Sequence, residues 1–367
     1  MGLKLFSRDT FVGVDLGSYS IKVAQVEPAG ERLLVSRCAK AATPEETVRD
    51  GVVVDPERLG DAVRDLLRHS GISATVANIA VAGSSVIVRS IKLPKMTEAA
   101  LRKSIKFEAG KYVPSSVDDS YIEFDMMGET GDGKMDVLVV AAPKDMVESR
   151  VAAVHRAGLE TEVVDIEGFA LYRALIEARR DEAYSDRTMA LIDMGAAHTH
   201  ISVVSNGQFS LTRSIPIAGE TLTDALKTFF RTDEEVARDT KHSLDFSPLV
   251  GSEQNTDVPP QLRLVQPIVD ELVRELRRSI NYYQTQQSEG TSAAPVSVLM
   301  LSGGAARMKG IADYLGFKLG LPCQFLSAWE NPRFLIGGEN VDPEEGSEYG
   351  VATGLAMRRT GRQAMVA

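Results

Sequence analysis

The chain has 367 residues, of which 44% are hydrophobic and 25% charged, a composition typical of a soluble globular protein with two domains or one large two-lobed fold. Its formal net charge of −10 disfavours nucleic acid as a partner. No apolar run approaches the roughly 20 residues that a membrane-spanning helix needs, and no signal peptide is recognisable at the N-terminus, so a cytoplasmic location is expected.

Strand and helix patterns alternate along the chain, which predicts an α/β fold. Residues 11–26, FVGVDLGSYSIKVAQV, read as two strands joined by a turn of small residues, and a third strand follows. The stretch 55–71 predicts a helix, with Asp55 placed to cap its N-terminus and Leu59 on the apolar face. Two more strands are expected across 77–93, broken by a glycine turn.

At Leu93 the strand pattern ends and a basic helical pattern follows. Residues 97–112 predict a basic amphipathic helix with Thr97 as its N-cap. Two strands, a helix and a further strand should follow. We interpret 93–165 as a small α+β insert in the first lobe.

The second lobe begins at Met189, where 189–204, MALIDMGAAHTHISVV, again reads as strand, turn and strand. Residues 219–245 look helical, and 266–287 predict a long helix that packs on the core. A buried strand, a glycine turn and a helix are expected from 296 onward. Surface loops are predicted around 247–262 and 289–295.

The two strand-turn-strand stretches are an internal repeat, because they align without gaps through Asp15 and Asp193 and through Gly17 and Gly195. Turns of Gly and Ser expose consecutive backbone N–H groups, which bind phosphate oxygens. An Asp beside such a turn can hold hydrated Mg²⁺. Either copy alone is better explained as an ordinary hairpin, but the repeat favours phosphate binding, and two facing copies would clamp a polyphosphate.

With these motifs the sequence resembles the actin-like ATPase superfamily, a duplicated two-lobed α/β fold that binds ATP with Mg²⁺. The resemblance implies two phosphate loops, a turn before a helix, a lysine near the ribose and an adenosine motif. Arg238 stands where the superfamily has an acidic residue beside that lysine. Asp15 and Asp193 would reach Mg²⁺ through water. The implied nucleotide-binding residues are, in chain order, Asp15, Gly17, Ser18, Tyr19, Ser20, Lys22, Asp193, Gly195, Ala196, Thr199, Gly219, Lys241, Gly303, Gly304 and Ala305.

A closer resemblance runs from about residue 11 to about 357. Stretches such as LPKMTEAALRKSIKFEAGKYVP and RSIPIAGETLTDAL are similar to the PilM family of type IV pilus assembly proteins. The resemblance implies an ATP-binding scaffold at the cytoplasmic face of the inner membrane. It would bind the N-terminal cytoplasmic peptide of a PilN-like inner-membrane protein, in a groove between the insert and the first lobe. PilO and the pilus motor ATPases of twitching motility would be reached indirectly, and self-association is a further expectation.

The resemblance also implies a division into subdomains. The first lobe would comprise 1–92 and 166–188 as subdomain 1A, with 93–165 as the inserted subdomain 1C. The second lobe would comprise 189–230 and 296–367 as subdomain 2A with the C-terminal tail. Residues 231–295 would form subdomain 2B.

Hydrolysis of ATP needs a group that positions the attacking water, and no residue can be assigned that role from the sequence. Asp165 and Glu167 are candidates, although each is equally an ordinary carboxylate at a strand end. Weak or absent ATPase activity is therefore expected, with nucleotide acting as a conformational ligand. An FtsA-like division filament protein and a small-molecule kinase are the alternatives, and a type II secretion system is an alternative setting to the pilus.

Overall fold

The computed structural model describes residues 11–113, 116–129, 133–179, 184, 187–251, 258–286, 294–337 and 341–358. The chain divides into two compact units. Unit 1 consists of Met1–Val81, Asp145–Arg179 and Ala328–Ala367, and unit 2 of Ala82–Lys144 and Arg180–Ser327. Each unit is built on its own sheet.

The sheet of unit 1 mixes parallel and antiparallel neighbours. Its central strand, Phe11–Leu16, pairs antiparallel with Ser20–Ala29 and parallel with Val76–Val81. In spatial order the strands are β10 (Glu160–Ile166), β6 (Val76–Val81), β1 (Phe11–Leu16), β2 (Ser20–Ala29), β3 (Arg32–Ala42) and β16 (Phe334–Ile336). A small separate hairpin is formed by β4 (Val48–Arg49) and β5 (Val52–Val53).

Helices cover this first sheet because its strands carry apolar residues on both faces. They are α1 (Pro56–His69), α3 (Lys144–Arg156), α4 (Glu167–Leu175) and α9 (Gly350–Met357). Residues of β1, β2, α1 and α3 share one buried cluster that includes Val14, Leu59 and Ala153. At the end of α9 the buried Asn78 amide donates to the carbonyls of Leu355 (2.9 Å) and Arg358 (2.6 Å), which satisfies groups that a helix end leaves open.

The sheet of unit 2 runs through both of its chain segments. In spatial order its strands are β15 (Cys323–Phe325), β14 (Val298–Ser302), β11 (Thr188–Met194), β12 (Thr199–Ser205), β13 (Gln208–Ile215), β7 (Ile87–Pro94), β9 (Lys134–Pro143) and β8 (Ser120–Glu129). The junction between the two segments is the pairing of β13 with β7, where Leu211 lies opposite Arg89.

The helices of unit 2 fall into two groups. Helix α2 (Glu98–Ala109) packs on β7 and β9 through Leu101, Ile105 and neighbouring apolar residues. The larger core gathers α5 (Gly219–Phe230), α6 (Glu234–His242), α7 (Pro260–Gln286) and α8 (Ile311–Leu319) around β11, β12 and β14.

Two helix starts were predicted correctly from capping residues. The Asp55 carboxylate accepts a hydrogen bond from the Arg58 N–H at 3.0 Å, and α1 begins at the next residue. Thr97 likewise accepts from the Ala100 N–H at 3.3 Å, one residue before α2. Both caps are local, so the sequence alone was sufficient to find them.

The region 219–245, predicted to be helical, contains two helices. Helix α5 ends at Phe230, Arg231 adopts the left-handed conformation with φ of 52°, and Asp233 caps a new helix, α6. Apolar periodicity did not reveal this break.

The helix predicted to start at 266 begins six residues earlier, at Pro260, and it runs through Pro267. Pro260 stands in the first turn, where the N–H that a proline lacks has no partner, whereas Pro267 lies in the helix interior, where a proline removes one intrahelical hydrogen bond. Buried Leu262 and Val265 anchor the early turns in the core. The loops predicted at 247–262 and 289–295 lie partly outside the described residues. Within the described ranges, no helix has the length and apolarity to cross a bilayer.

Candidate nucleotide-binding site

The first predicted phosphate loop lies in unit 1, where β1 ends at Leu16 and β2 begins at Ser20. Buried Thr43 holds this turn from outside the hairpin. Its hydroxyl donates to the Gly17 carbonyl at 2.7 Å, and its N–H donates to the Tyr19 carbonyl at 2.9 Å. Each carbonyl shares a rigid peptide plane with the following N–H. Thr43 therefore fixes the directions of the Ser18 and Ser20 N–H groups.

Asp15 and Lys22 face each other across β1 and β2 beside this turn. The Lys22 Nζ lies 3.2 Å from the Asp15 Oδ2, and the two side chains are only 15% and 11% exposed. The ammonium also donates to the Ser20 carbonyl at 3.5 Å. A phosphate bound at the turn would compete with Asp15 for this ammonium. Tyr19, at the tip of the turn, is 43% exposed.

The second predicted loop lies in unit 2, between Met194 and Thr199. The N–H of Gly219 donates to the Gly195 carbonyl at 3.1 Å, and the N–H of Glu220 donates to the Ala196 carbonyl at 2.8 Å. The start of α5 is thus bonded directly to the loop. The buried Thr199 hydroxyl donates to the Ile217 carbonyl at 2.7 Å and fixes the other end of the turn.

Gly303 brings the predicted adenosine turn against the second loop. Its φ of 99° and ψ of 165° lie in a region that is essentially restricted to glycine. A Cβ at this position would stand 2.4 Å from the Asp193 Oδ1 and 2.6 Å from the Met194 carbonyl oxygen. Only glycine permits this approach. The turn continues at once into a short 3₁₀-helix, Gly304–Arg307.

Lys241 of α6 completes the cluster in unit 2. It is 7% exposed, and its Nζ donates to the Gly219 carbonyl at 3.5 Å. Burial lowers the pKa of this lysine and the Arg238 charge lowers it further, while Glu220 opposes the shift. A buried ammonium of this kind gains stability from an anionic ligand, so the residues present fit a nucleotide. Ala305 also belongs here, because its Cβ would lie 3.3 Å from a Cβ placed on Gly219.

The structure therefore gathers the predicted residues within each unit. Unit 1 collects those at 15–22, and unit 2 collects those at 193–199, 219, 241 and 303–305. Their roles toward a ligand stay predictions. Thr43 was not predicted from the sequence, since no motif marks a threonine that follows a distant strand. Within the described residues, no group of three or more His, Cys, Asp or Glu side chains could hold a metal ion, so water-mediated Mg²⁺ binding by Asp15 and Asp193 also stays a prediction.

Of the two carboxylates considered for positioning water, Asp165 is engaged in ion pairs. Its side chain is 2% exposed and lies 3.0 Å from the Arg173 Nη2 and 2.8 Å from the Arg358 Nη1. The Arg173 guanidinium also donates to the Gly354 carbonyl at 2.9 Å. This arrangement supports the interpretation of Asp165 as a structural carboxylate at a strand end. Glu167 stands in the first turn of α4.

The family model of the type IV pilus assembly protein PilM matches residues 13–360. This chain belongs to the PilM family. A solved structure of the PilM-PilN type IV pilus biogenesis complex aligns with a TM-score of 0.80 at 25% identity, covering 95% of this chain and 98% of the solved one.

More distant relatives share the fold. The ethanolamine utilization protein EutJ from Carboxydothermus hydrogenoformans aligns with a TM-score of 0.52 at 18% identity, over 94% of this chain and 88% of its own. The cell division protein FtsA of Streptococcus pneumoniae is 23% identical over 270 residues, 66% of this chain and 58% of the relative. That of Escherichia coli is 25% identical over 193 residues, 48% of this chain and 45% of the relative. The chain thus spans about half the length of these curated relatives. The predicted actin-like ATPase fold is confirmed for this PilM-family chain.

Proposed function

We propose that this chain is an ATP-binding scaffold of the type IV pilus inner-membrane platform and binds the N-terminal cytoplasmic peptide of a PilN-like membrane protein. The observation that carries the proposal is the likeness to the PilM-PilN complex over 95% of the chain. The part of the chain left uncovered is too short to contain the segment 93–165, which the PilM resemblance singled out. Through this partner the chain would be peripheral to the inner membrane. PilO and the pilus motor ATPases would interact with it only indirectly.

Each unit has its own proposed contacts with ATP. In unit 1 the N–H groups of 17–20 would take phosphate oxygens, with Lys22 as the nearby cation, and in unit 2 the N–H groups of 195–199 would also take phosphate oxygens. Gly303 and Gly304 would let the adenosine lie against the backbone, and Lys241 would stand near the ribose. Mg²⁺, which keeps several waters, would supply charge neutralisation for the phosphates. The geometry of each loop supports this assignment, since hydrogen bonds from residues outside the loop hold each of them in place.

The surface of α2 supports peptide binding by the segment 82–144. Phe107 is 76% exposed there, although Leu101 and Ile105 on the opposite face are buried in the small core. The Lys111 Nζ lies 5.5 Å from the centroid of this aromatic ring, and Lys103 and Lys106 of the same helix are exposed. An apolar residue of an extended peptide that covered Phe107 would make the free energy of binding more favourable, because this removes apolar surface from water.

Nucleotide would act as a conformational ligand with weak or absent turnover. The burial of Asp165 in its ion pairs supports this, because it leaves that carboxylate unsuited to orienting water. By linkage, any change that ATP makes in peptide affinity must be matched by an equal change that the peptide makes in ATP affinity.

The test is titration of the purified protein with the PilN-like N-terminal peptide, with and without Mg-ATP, by calorimetry. We expect saturable binding that changes with nucleotide. Phe107→Ser should weaken peptide binding, whereas Phe317→Ser on α8, a matched control with 51% exposure, should not. ATP turnover is measured in the same samples.

Two results would overturn the proposal. Absence of peptide binding in both nucleotide states would remove the scaffold function. If the protein instead formed nucleotide-dependent filaments, the FtsA-like alternative would take its place, and the similarity to FtsA would then describe function as well as fold.

A further inference from the structure

Arg150, on α3, is an almost fully buried cation that no motif assigns, with 3% of its surface exposed. Its guanidinium donates to three backbone carbonyls. Nε donates to Gly51 at 3.1 Å, and Nη1 donates to Leu16 at 3.3 Å and to Ala80 at 3.1 Å. A buried guanidinium is costly unless its donors are satisfied. Carbonyl oxygens accept hydrogen bonds from three of its five N–H groups and leave the positive charge in place.

Two of these acceptors lie at the carboxyl end of the sheet in unit 1. Leu16 is the last residue of β1, and Ala80 is the penultimate residue of β6, which runs parallel to β1. One nitrogen of the guanidinium therefore joins the ends of two neighbouring strands. Its planar, fixed geometry suits this bridge better than the single flexible ammonium of a lysine.

The Leu16 carbonyl matters because it shares a rigid peptide plane with the N–H of Gly17. In a trans peptide these groups point in opposite directions, so a bond that fixes the carbonyl also fixes the N–H. Gly17 is the first residue of the predicted phosphate loop. Arg150 thus does for Gly17 what Thr43 does for Ser18 and Ser20.

We propose that Arg150 is a positioning residue for the first phosphate loop, orienting the Gly17 N–H toward the nucleotide phosphates. The inference rests on the proposed ATP binding. The side chain acts from behind the loop through the backbone, and its permanent charge adds a favourable field for an anion in a poorly solvated surrounding. Its removal should therefore weaken recognition of phosphates and leave recognition of adenosine intact.

The experiment compares Mg-ATP and adenosine affinities, by calorimetry or competition, for the full chain and for Arg150→Lys and Arg150→Met. Loss of a hydrogen bond from a charged group predicts a fall in Mg-ATP affinity of about 10-fold for Lys, which keeps the charge, and about 30-fold or more for Met. Adenosine affinity should stay within about two-fold. Arg58→Lys is the matched control, since the exposed Arg58 also donates to a backbone carbonyl, that of Glu45 at 3.4 Å.

The outcomes separate this inference from the proposed function. If the wild-type chain fails to bind Mg-ATP, the proposed function itself is wrong. If the wild type binds and the Arg150 variants bind Mg-ATP equally well, or lose Mg-ATP and adenosine affinity in the same proportion, Arg150 is not a positioning residue. Should Arg150→Met fail to fold, the charge-retaining lysine variant decides the question, with its melting curve as the check on folding.

Discussion

Gly303→Ala tests whether the adenosine turn and the second phosphate loop meet as the structure places them. The new Cβ would lie 2.4 Å from the Asp193 Oδ1, whereas ordinary contacts of a Cβ begin at 3.4 Å, so atoms of the loop must move by about 1 Å. The backbone conformation at this position adds about 1–3 kcal/mol for any residue with a side chain. The steric clash and the unfavourable backbone conformation together should lower the free energy of unfolding by about 3 kcal/mol or more.

Gly320→Ala is the matched control. This residue also has a positive φ, 72°, but no atom lies within 4 Å of its Cβ position. The Gly320→Ala variant should lose only the free energy that comes from the unfavourable backbone conformation, about 1–2 kcal/mol of the free energy of unfolding. The assays are urea unfolding and calorimetric titration with Mg-ATP. Gly303→Ala should reduce ATP affinity by about 10-fold or more, and Gly320→Ala should not change it. Equal stability and equal ATP affinity of the two variants would refute the close approach and its role.

Three further perturbations test the charges and thiols. Lys22→Met should lower the free energy of unfolding by about 1–3 kcal/mol because it strands the Asp15 carboxylate. The double variant with Asp15→Asn should recover part of the loss, and additive losses in the mutant cycle would contradict the pairing. Burial lowers the pKa of Lys241 in the folded state. At pH values between this lowered pKa and the ordinary 10.5, the folded state therefore binds fewer protons than the unfolded state. The free energy of unfolding should therefore rise with pH across this window, and Lys241→Met should flatten the rise; an unchanged slope would refute the assignment. Burial and nearby Asp313 raise the pKa of Cys323 to about 12. Alkylation at pH 8 should then be about a thousand-fold slower in the native chain than in urea, followed by mass spectrometry, and comparable rates would show an accessible thiolate.

The sequence by itself determined the features that depend on neighbours along the chain. The repeat through Asp15 and Asp193, the caps Asp55 and Thr97 and the alternation of strands and helices are all local patterns, and the structure confirms the elements they predicted. The phosphate-loop candidates came from the same source, because each is a short motif whose residues lie within one turn of each other, whereas the predicted scaffold function came from the resemblance to the PilM family.

Tertiary structure alone decided what holds those motifs in place. Thr43 and Arg150 reach the first loop from positions 26 and 134 residues away in the sequence, with no motif of their own. The pairing of β13 with β7 joins segments more than 100 residues apart. Such contacts depend on which side chain meets which carbonyl once the sheets have formed, and neither periodicity nor composition records that. Asp165 illustrates the consequence, since its sequence position allowed a catalytic or a structural role and only its two arginine partners favour the structural one.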